Sequence, residues 1–507
     1  MTGKVWLTGA GPSDIELLTV KAKKVLEQAE VVVYDSLVGT AILALIPEDA
    51  EKIDVGKRAG NHKMTQDNIS QLLVDLAQQG KRVVRLKGGD PFLFGRGGEE
   101  AELLFANNIP YEVIPGVTSA ISVPAYAGIP VTHRDAASMI HIITGHKKKD
   151  EELDINFDAL TKAGGTLIFM MSISAIGDIS EGLMKAGMDP NTPTAIVSCG
   201  ATARQEKVRA NLKDLKELIR TREIKTPGIL IVGEVCAYDE QLEWRQHLKL
   251  DGDCYYLTRP RERSTKMAEL LREYGAEVVE LPCIQTKPIL PNNRLLTEVQ
   301  DIKNYDLIVF TSPAGVLYFF EFLKTEQIDI RNLMHLKYAV IGSGTKNELL
   351  NYGIYADHMP NKYDGAELGK LIGEMIHSGN RVLIPRASEG NPLIIEEIRK
   401  RSDAFVADIP LYTTLPISSG AIDVAEQIAL NRLTKAVFTS ASTVRGFLAQ
   451  ARNADVSKIQ AFCIGEMTAA EARKAGMQCL VSEEASIEAL VELILNEHAG
   501  GKYGSNC

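Results

Sequence analysis

Short aliphatic and β-branched runs at residues 31–34, 83–86, 140–144, 166–170, 195–197 and 229–232 punctuate the first half of the chain. Between them lie stretches with apolar residues at helical spacing, such as 19–28 and 65–79. From Lys4 to about Gly233 this alternation predicts an α/β fold with a largely parallel sheet. Gly164-Gly165 leads into a fresh strand, which predicts two lobes in this half and a ligand cleft between them. The polar stretch 239–251, with Trp244 and His247, reads as a helical tail, and the boundary to the second half falls near Gly252.

Beyond that boundary the pattern repeats. Val309-Phe310-Thr311-Ser312-Pro313-Ala314 returns as Val437-Phe438-Thr439-Ser440-Ala441-Ser442, Ile341-Gly342 with Thr345 returns as Ile464-Gly465 with Thr468, and Leu281-Pro282 returns as Ile409-Pro410. The first and third offsets are 128 residues and the second is 123. Three features recurring in one order predict two similar lobes that follow one another, each a small doubly wound sheet. Extended segments near Thr286-Lys287-Pro288 and Leu411-Tyr412-Thr413 pass between them. The expected division is residues 1–247, a linker at 248–252, and residues 253–507.

At 507 residues the chain exceeds what one core accommodates. No apolar run approaches a bilayer span, and the N-terminus enters a strand at Lys4-Val5-Trp6-Leu7 without a signal-peptide pattern, so a cytoplasmic location is expected and a membrane is not. The seven cysteines are scattered with no Cys-x-x-Cys pair, which suggests neither a disulfide framework nor a metal site. A net charge of −10 argues against nucleic acid as the main partner. The cations of the first half nevertheless cluster, as Lys52, Lys57, Arg58, His62 and Lys63, and as Lys81, Arg82, Arg85, Lys87 and Arg96. They form either a local cleft for a polyanionic small molecule or solvated loops.

The densest chemistry is in Val84-Arg85-Leu86-Lys87-Gly88-Gly89-Asp90-Pro91-Phe92-Leu93-Phe94-Gly95-Arg96-Gly97-Gly98-Glu99-Glu100, where a strand runs into five glycines. Such glycine density brings a ligand against bare backbone. With Gly9-Ala10-Gly11-Pro12-Ser13-Asp14 and Gly128-Ile129-Pro130-Val131-Thr132-His133-Arg134, it resembles the uroporphyrinogen-III C-methyltransferases over nearly all of residues 3–247. Gly9-Ala10-Gly11-Pro12 alone is a poor dinucleotide fingerprint, because proline follows the second glycine and the third is missing. The resemblance implies S-adenosylmethionine bound against Pro12, Gly88, Gly89, Asp90, Leu93, Thr118, Ser119, Met171 and Gly200, leaving as S-adenosylhomocysteine. It implies Asp35 as proton acceptor and Lys57 as proton donor; from sequence alone a cap or turn residue is the lesser reading of Asp35. Arg58, Arg96, His133 and Arg134 are candidate clamps for a polycarboxylate tetrapyrrole, His133 also reading as a structural histidine. Ser13 and Ser172 stand where glycine is common in the family. The methylases are usually dimeric, so a homodimer through this half is an implication as well.

Residues 253–497 resemble uroporphyrinogen-III synthase, more in pattern and order than in long identities. The carrying residues are Thr258-Arg259-Pro260, Phe310-Thr311-Ser312, Gly342 with Thr345, Leu383-Ile384-Pro385-Arg386, Tyr412, Phe438-Thr439-Ser440 and Gly465 with Thr468. Thr258, Arg259, Ser312, Thr345, Arg386, Ser440 and Thr468 are the expected substrate contacts. Singly, the Ser and Thr residues read as ordinary N-caps, but their repetition suggests a shared cleft for carboxylates. In the family reaction hydroxymethylbilane cyclises with inversion of its last ring; Tyr412 either donates a hydrogen bond to the departing hydroxyl or packs a hinge. The implied whole is a bifunctional enzyme giving precorrin-2 for cobalamin or sirohaem. The alternatives are a methylase for another acceptor, or a methylase fused to a non-catalytic binding module.

Overall fold

The computed structural model describes residues 2–56, 64–145, 153–259, 265–418 and 420–504. Its two compact units are Met1–Tyr255 with Ala268–Glu280 and Ser419–Asp423, and Tyr256–Met267 with Leu281–Ser418 and Val424–Cys507. The first sheet holds β1 (Lys4–Gly9), β2 (Val31–Tyr34), β3 (Glu51–Asp54), β4 (Arg82–Lys87) and β5 (Tyr111–Ile114) in the order β3-β2-β4-β1-β5. The pairs β1–β4, β1–β5, β2–β3 and β2–β4 are all parallel. Parallel strands need crossover connections, and the amphipathic stretches supply them: helix Val20–Leu26 starts at Thr19 and helix Gln66–Gln78 at Thr65. Each threonine side chain accepts from a backbone N–H three residues on, so each helix begins one residue inside the predicted stretch.

The second sheet departs from expectation. It holds β6 (Ile140–Thr144), β7 (Thr166–Met170), β8 (Pro193–Ser198), β9 (Glu206–Asn211) and β10 (Gly228–Val232) in the order β6-β7-β10-β8-β9. Only β6 and β7 run parallel; β10 is antiparallel to both β7 and β8, and β8 to β9. The expectation of a largely parallel sheet holds for the first lobe and is corrected here. The link from Ser198 to Glu206 is too short for a crossover, so β9 returns as a hairpin. The stretch 239–251 is not a helical tail either. Glu234–Tyr238 and Arg245–His247 are single 3₁₀ turns, because tertiary contacts hold the chain: Trp244 Nε1 donates to Ala125 O at 2.9 Å, and the Arg245 guanidinium lies over the Tyr126 ring.

The C-terminal strands are β11 (Cys254–Leu257), β12 (Glu277–Glu280), β13 (Ile284–Pro288), β14 (Leu307–Phe310), β15 (Lys337–Val340), β16 (Arg381–Ala387), β17 (Phe405–Pro416), β18 (Lys435–Phe438), β19 (Gln460–Cys463) and β20 (Gln478–Val481). They form sheets ordered β12-β11-β18-β19-β20 and β13-β17-β16-β14-β15. The lobes therefore do not follow one another: one is built from both ends of this half and the other, β13–β17, is inserted within it. The predicted extended segments are the two crossings, β13 and the long β17, which pair antiparallel with Lys287 opposite Thr413. The repeat is exact in local geometry. Ser312 and Ser440 cap their helices at φ −165° and −167°, Gly342 and Gly465 at −174° and −176°, and Thr345 and Thr468 are both buried. Among the described residues no helix is long and apolar enough to cross a membrane.

Candidate functional site

The strands β1, β2, β4 and β5 all end at one edge of the first sheet, and their loops carry the candidate residues. In an open parallel sheet this carboxyl edge is where ligands bind. Two loops cross there backbone to backbone: Gly11 N donates to Gly89 O at 3.1 Å, and Gly89 N to Gly11 O at 2.8 Å. A third joins them, since a Cβ on Gly9 would stand 2.5 Å from Gly116 N and 2.6 Å from Gly89 O. Asp90 locks the junction, with Oδ2 accepting from Gly116 N at 3.0 Å and Oδ1 from Phe92 N at 2.8 Å. Gly89 itself sits at φ +67°, and a Cβ built on it would meet no atom within 4 Å. Close packing below and open space above leave a strip of bare backbone facing outward.

The other proposed cofactor contacts fall around this strip or on the matching end of the second sheet. Pro12 is buried next to the crossing, and Leu93 is half-buried in the loop that follows Asp90. Thr118 caps helix Ser119–Tyr126 by accepting from Ala120 N. Met171 and Cys199-Gly200 leave β7 and β8 beside the start of β10, where Cys199 N donates to Pro227 O at 2.7 Å. Met171, Cys199 and Ala201 have φ of +53°, +48° and +58°, and Ser13 has +104°. That last angle explains the family's glycine at position 13, since a side chain is strained there. Ser172 lies at φ −104°, where any residue fits, and its hydroxyl donates to Phe169 O at 2.9 Å. Gly200 is needed for packing, because a Cβ would run into the Val123 side chain.

Asp35 follows β2, and its side chain makes neither a cap nor a turn contact. Arg85 Nη2 donates to its Oδ1 at 2.7 Å, and Lys87 Nζ stands 4.0 Å from its Oδ2. Arg85 and Lys87 belong to the basic cluster expected in the cleft, but both are buried and both reach Glu100, at 3.0 and 2.9 Å. Burial works against the Arg85 charge, yet Asp35 and Glu100 outweigh it and hold that guanidinium above its ordinary value. The Lys87 ammonium is pushed below its ordinary value, first by burial and then by Arg85. Lys57 and Arg58 lie outside the described residues. Arg96, at φ +56°, is exposed and paired with Glu99 at 2.6 Å. His133 stacks on Tyr238 with ring centroids 4.3 Å apart, and Arg134 is exposed.

In the C-terminal half Ser312 Oγ accepts from Gly315 N at 3.0 Å and lies 2.8 Å from the Tyr412 hydroxyl, which is buried. Its repeat partner Ser440 shares a capping box with Thr443 and meets Ser442 Oγ at 2.8 Å. Thr258 is fully buried and donates to Val437 O, tying β11 to β18. Arg386 gives Nε and Nη2 to Asp408, both at 2.7 Å, and Nη1 to Asn391 O, so its guanidinium is engaged inside the lobe. Arg259 is half-buried just after Thr258. Sequence reasoning assigned no role to Gly116 or Glu100. Gly116 carries the same signal as Gly9 and Gly88, a glycine at the end of a strand; Glu100 gave none, since burial of its partners is not visible in the sequence.

Residues 4–216 match the family model described as Tetrapyrrole (Corrin/Porphyrin) Methylases, and residues 265–492 the model described as Uroporphyrinogen-III synthase HemD. The chain is 40% identical over 501 residues to the porphyrin biosynthesis protein HemD of Ruminiclostridium josui, covering 99% of each. Over 234 residues it is 52% identical to an S-adenosyl-L-methionine-dependent uroporphyrinogen III methyltransferase of Methanosarcina barkeri, covering 46% of this chain and 92% of that one. A crystal structure of uroporphyrin-III C-methyl transferase from Thermus thermophilus complexed with S-adenyl homocysteine is 38% identical, with TM-score 0.41, covering 46% of this chain and 99% of that one.

Proposed function

The chain belongs to the family of the porphyrin biosynthesis protein HemD, with a tetrapyrrole methylase in its N-terminal half and a uroporphyrinogen-III synthase in its C-terminal half, and on that premise we propose that it makes uroporphyrinogen III from hydroxymethylbilane and methylates it twice to precorrin-2. We assign methylation to residues 1–247 and cyclisation to 253–507, with 248–252 between them. Precorrin-2 then serves cobalamin or sirohaem synthesis in the cytoplasm, and the enzyme acts as a homodimer through its methylase half.

One observation carries the methylase assignment: the strip of bare backbone at Gly89, open above and locked below, at the carboxyl edge of a parallel sheet. A Cβ would occupy the space that a ligand needs, so the residues fit S-adenosylmethionine, held by Gly88, Gly89, Asp90, Pro12 and Thr118. When bound, that cofactor supplies an electrophilic methyl on a sulfonium. The chain's own part is to hold the acceptor carbon in line, exclude water and take up the ring proton. Asp35 Oδ1 is already occupied by Arg85, so Oδ2 is the atom that receives the proton. In the C-terminal half Ser312 holds the Tyr412 hydroxyl in place to donate to the hydroxyl leaving the first ring.

The test is an assay of the purified full chain. Given hydroxymethylbilane alone it yields the type III isomer above the spontaneous type I product, and given S-adenosylmethionine as well it yields a twice-methylated ring. Type I product alone rejects the synthase assignment, and uroporphyrinogen III left unmethylated rejects the methylase assignment.

A further inference from the structure

The methylase half buries more charge than its candidate chemistry uses. On β4, Arg85 and Lys87 point to the face covered by helices Gln66–Gln78 and Gly97–Ala106, the face that also carries Val83, Leu73 and Leu104. Such a position suits an aliphatic side chain. Instead the Arg85, Lys87 and Glu100 side chains are 1%, 4% and 0% exposed, whereas Asp35 is 27% exposed. Glu100 Oε1 collects three donors: Arg85 Nε at 3.0 Å, Lys87 Nζ at 2.9 Å and Gln66 Nε2 at 3.0 Å. Arg85 spans the network, with Nη1 on Val33 O and Leu86 O and Nη2 on Asp35. Buried pairs of this kind do little for stability compared with packed aliphatics, so their presence calls for another reason.

We propose that Arg85, Lys87 and Glu100 are positioning residues for methyl transfer: a clamp, charge-balanced once Asp35 is counted, that fixes the Asp35 carboxylate at the cleft wall and sets its readiness to take a proton. The idea rests on Asp35 as the proton acceptor. Two cations facing Asp35 alone would hold it ionised and make it a poor base, and Glu100 cancels one of them. Arg85 holds Oδ1, and Oδ2 lies 4.0 Å from Lys87 Nζ, the second charge behind it. The other acidic groups nearby are committed elsewhere: Asp54 on β3 accepts from Gly56 N, and Asp90 from Gly116 N and Phe92 N.

The experiment uses the full chain and the isosteric or near-isosteric variants Glu100→Gln and Lys87→Gln. It measures the pH profile of methyl transfer, with calorimetric binding of S-adenosylhomocysteine as a second readout. Glu100→Gln leaves Asp35 facing excess positive charge and moves the acid limb down by about 1 pH unit; Lys87→Gln moves it up by about 1. Binding of S-adenosylhomocysteine stays within about 3-fold of wild type in both. Opposite displacements support the clamp, because a structural role gives no signed shift. Limbs that stay put or move together overturn it. If a single variant does not fold, the double variant, with one charge of each sign removed, has to return the limb to its wild-type position, and a displaced limb there overturns the clamp. Asp35→Asn separates the two failures: if it methylates normally the underlying role of Asp35 is wrong, and if it is inactive while the limbs do not move only the clamp is wrong.

Discussion

Replacing Gly89 by alanine separates the ligand site from the fold. At φ +67° with no atom within 4 Å of the new methyl, the alanine is strained but meets no neighbour. The left-handed conformation costs an L-residue about 1–2 kcal/mol. For a unit of this size that lowers the unfolding midpoint by about 2–8 °C. Gly187→Ala is the matched control, since Gly187 has φ +89° and equally empty surroundings in a turn after helix Ile176–Lys185. Both variants are followed by thermal denaturation and by calorimetric titration with S-adenosylhomocysteine. The melting temperatures fall together. Affinity falls at least about 10-fold in Gly89→Ala alone, which corresponds to about 1.4 kcal/mol for a methyl set in the ligand's space. Equal affinity in the two variants refutes the reasoning, because nothing of the ligand then lies over Gly89.

Four further outcomes follow from the same geometry. Gly116→Ala places a Cβ against Gly89 O and 2.8 Å from Gly9 Cα, backbone atoms that cannot move aside, and destabilises the first unit by about 3 kcal/mol in denaturant titration. Asp35→Asn abolishes methylation and leaves cyclisation of hydroxymethylbilane unchanged, measured on one preparation. Tyr412→Phe slows cyclisation at least about 10-fold and leaves methylation of supplied uroporphyrinogen III intact. Lys21 and then Lys4 hold the Glu112 carboxyl down to about 2, so its pairing stabilises the fold above about pH 4.5 and is lost as pH falls toward 2. Denaturant titrations of Glu112→Gln against wild type therefore differ most above pH 4.5, and the difference shrinks steadily with acid.

Strands β1, β2 and β4 of the first sheet were legible because they carry apolar runs separated by amphipathic stretches with threonine caps at Thr19 and Thr65, whereas β3 and β5 were not, since each is only four residues long and mixes polar with apolar positions. The second sheet was not, since the direction of β10 is fixed by where its neighbours lie and leaves no mark in its own residues. The repeat of Ser312 with Ser440 was plain in the sequence, whereas the insertion of one lobe within the other depends on which strands pair. The loop motifs located the strip at Gly89. Arg85 and Lys87 looked like cleft cations because sequence gives charge but not burial, and the partner that makes their burial tolerable, Glu100, arrives from another element. The partner of Arg386 was likewise invisible in the sequence, because Asp408, which takes up its guanidinium, sits on another strand, β17.

The most direct measurement is a crystal structure of the full chain soaked with S-adenosylhomocysteine. Density lying over Gly89, beside Asp90 and Thr118 and within reach of the cleft wall at Asp35, is the predicted result. Density for that molecule at any other place on the chain contradicts the account.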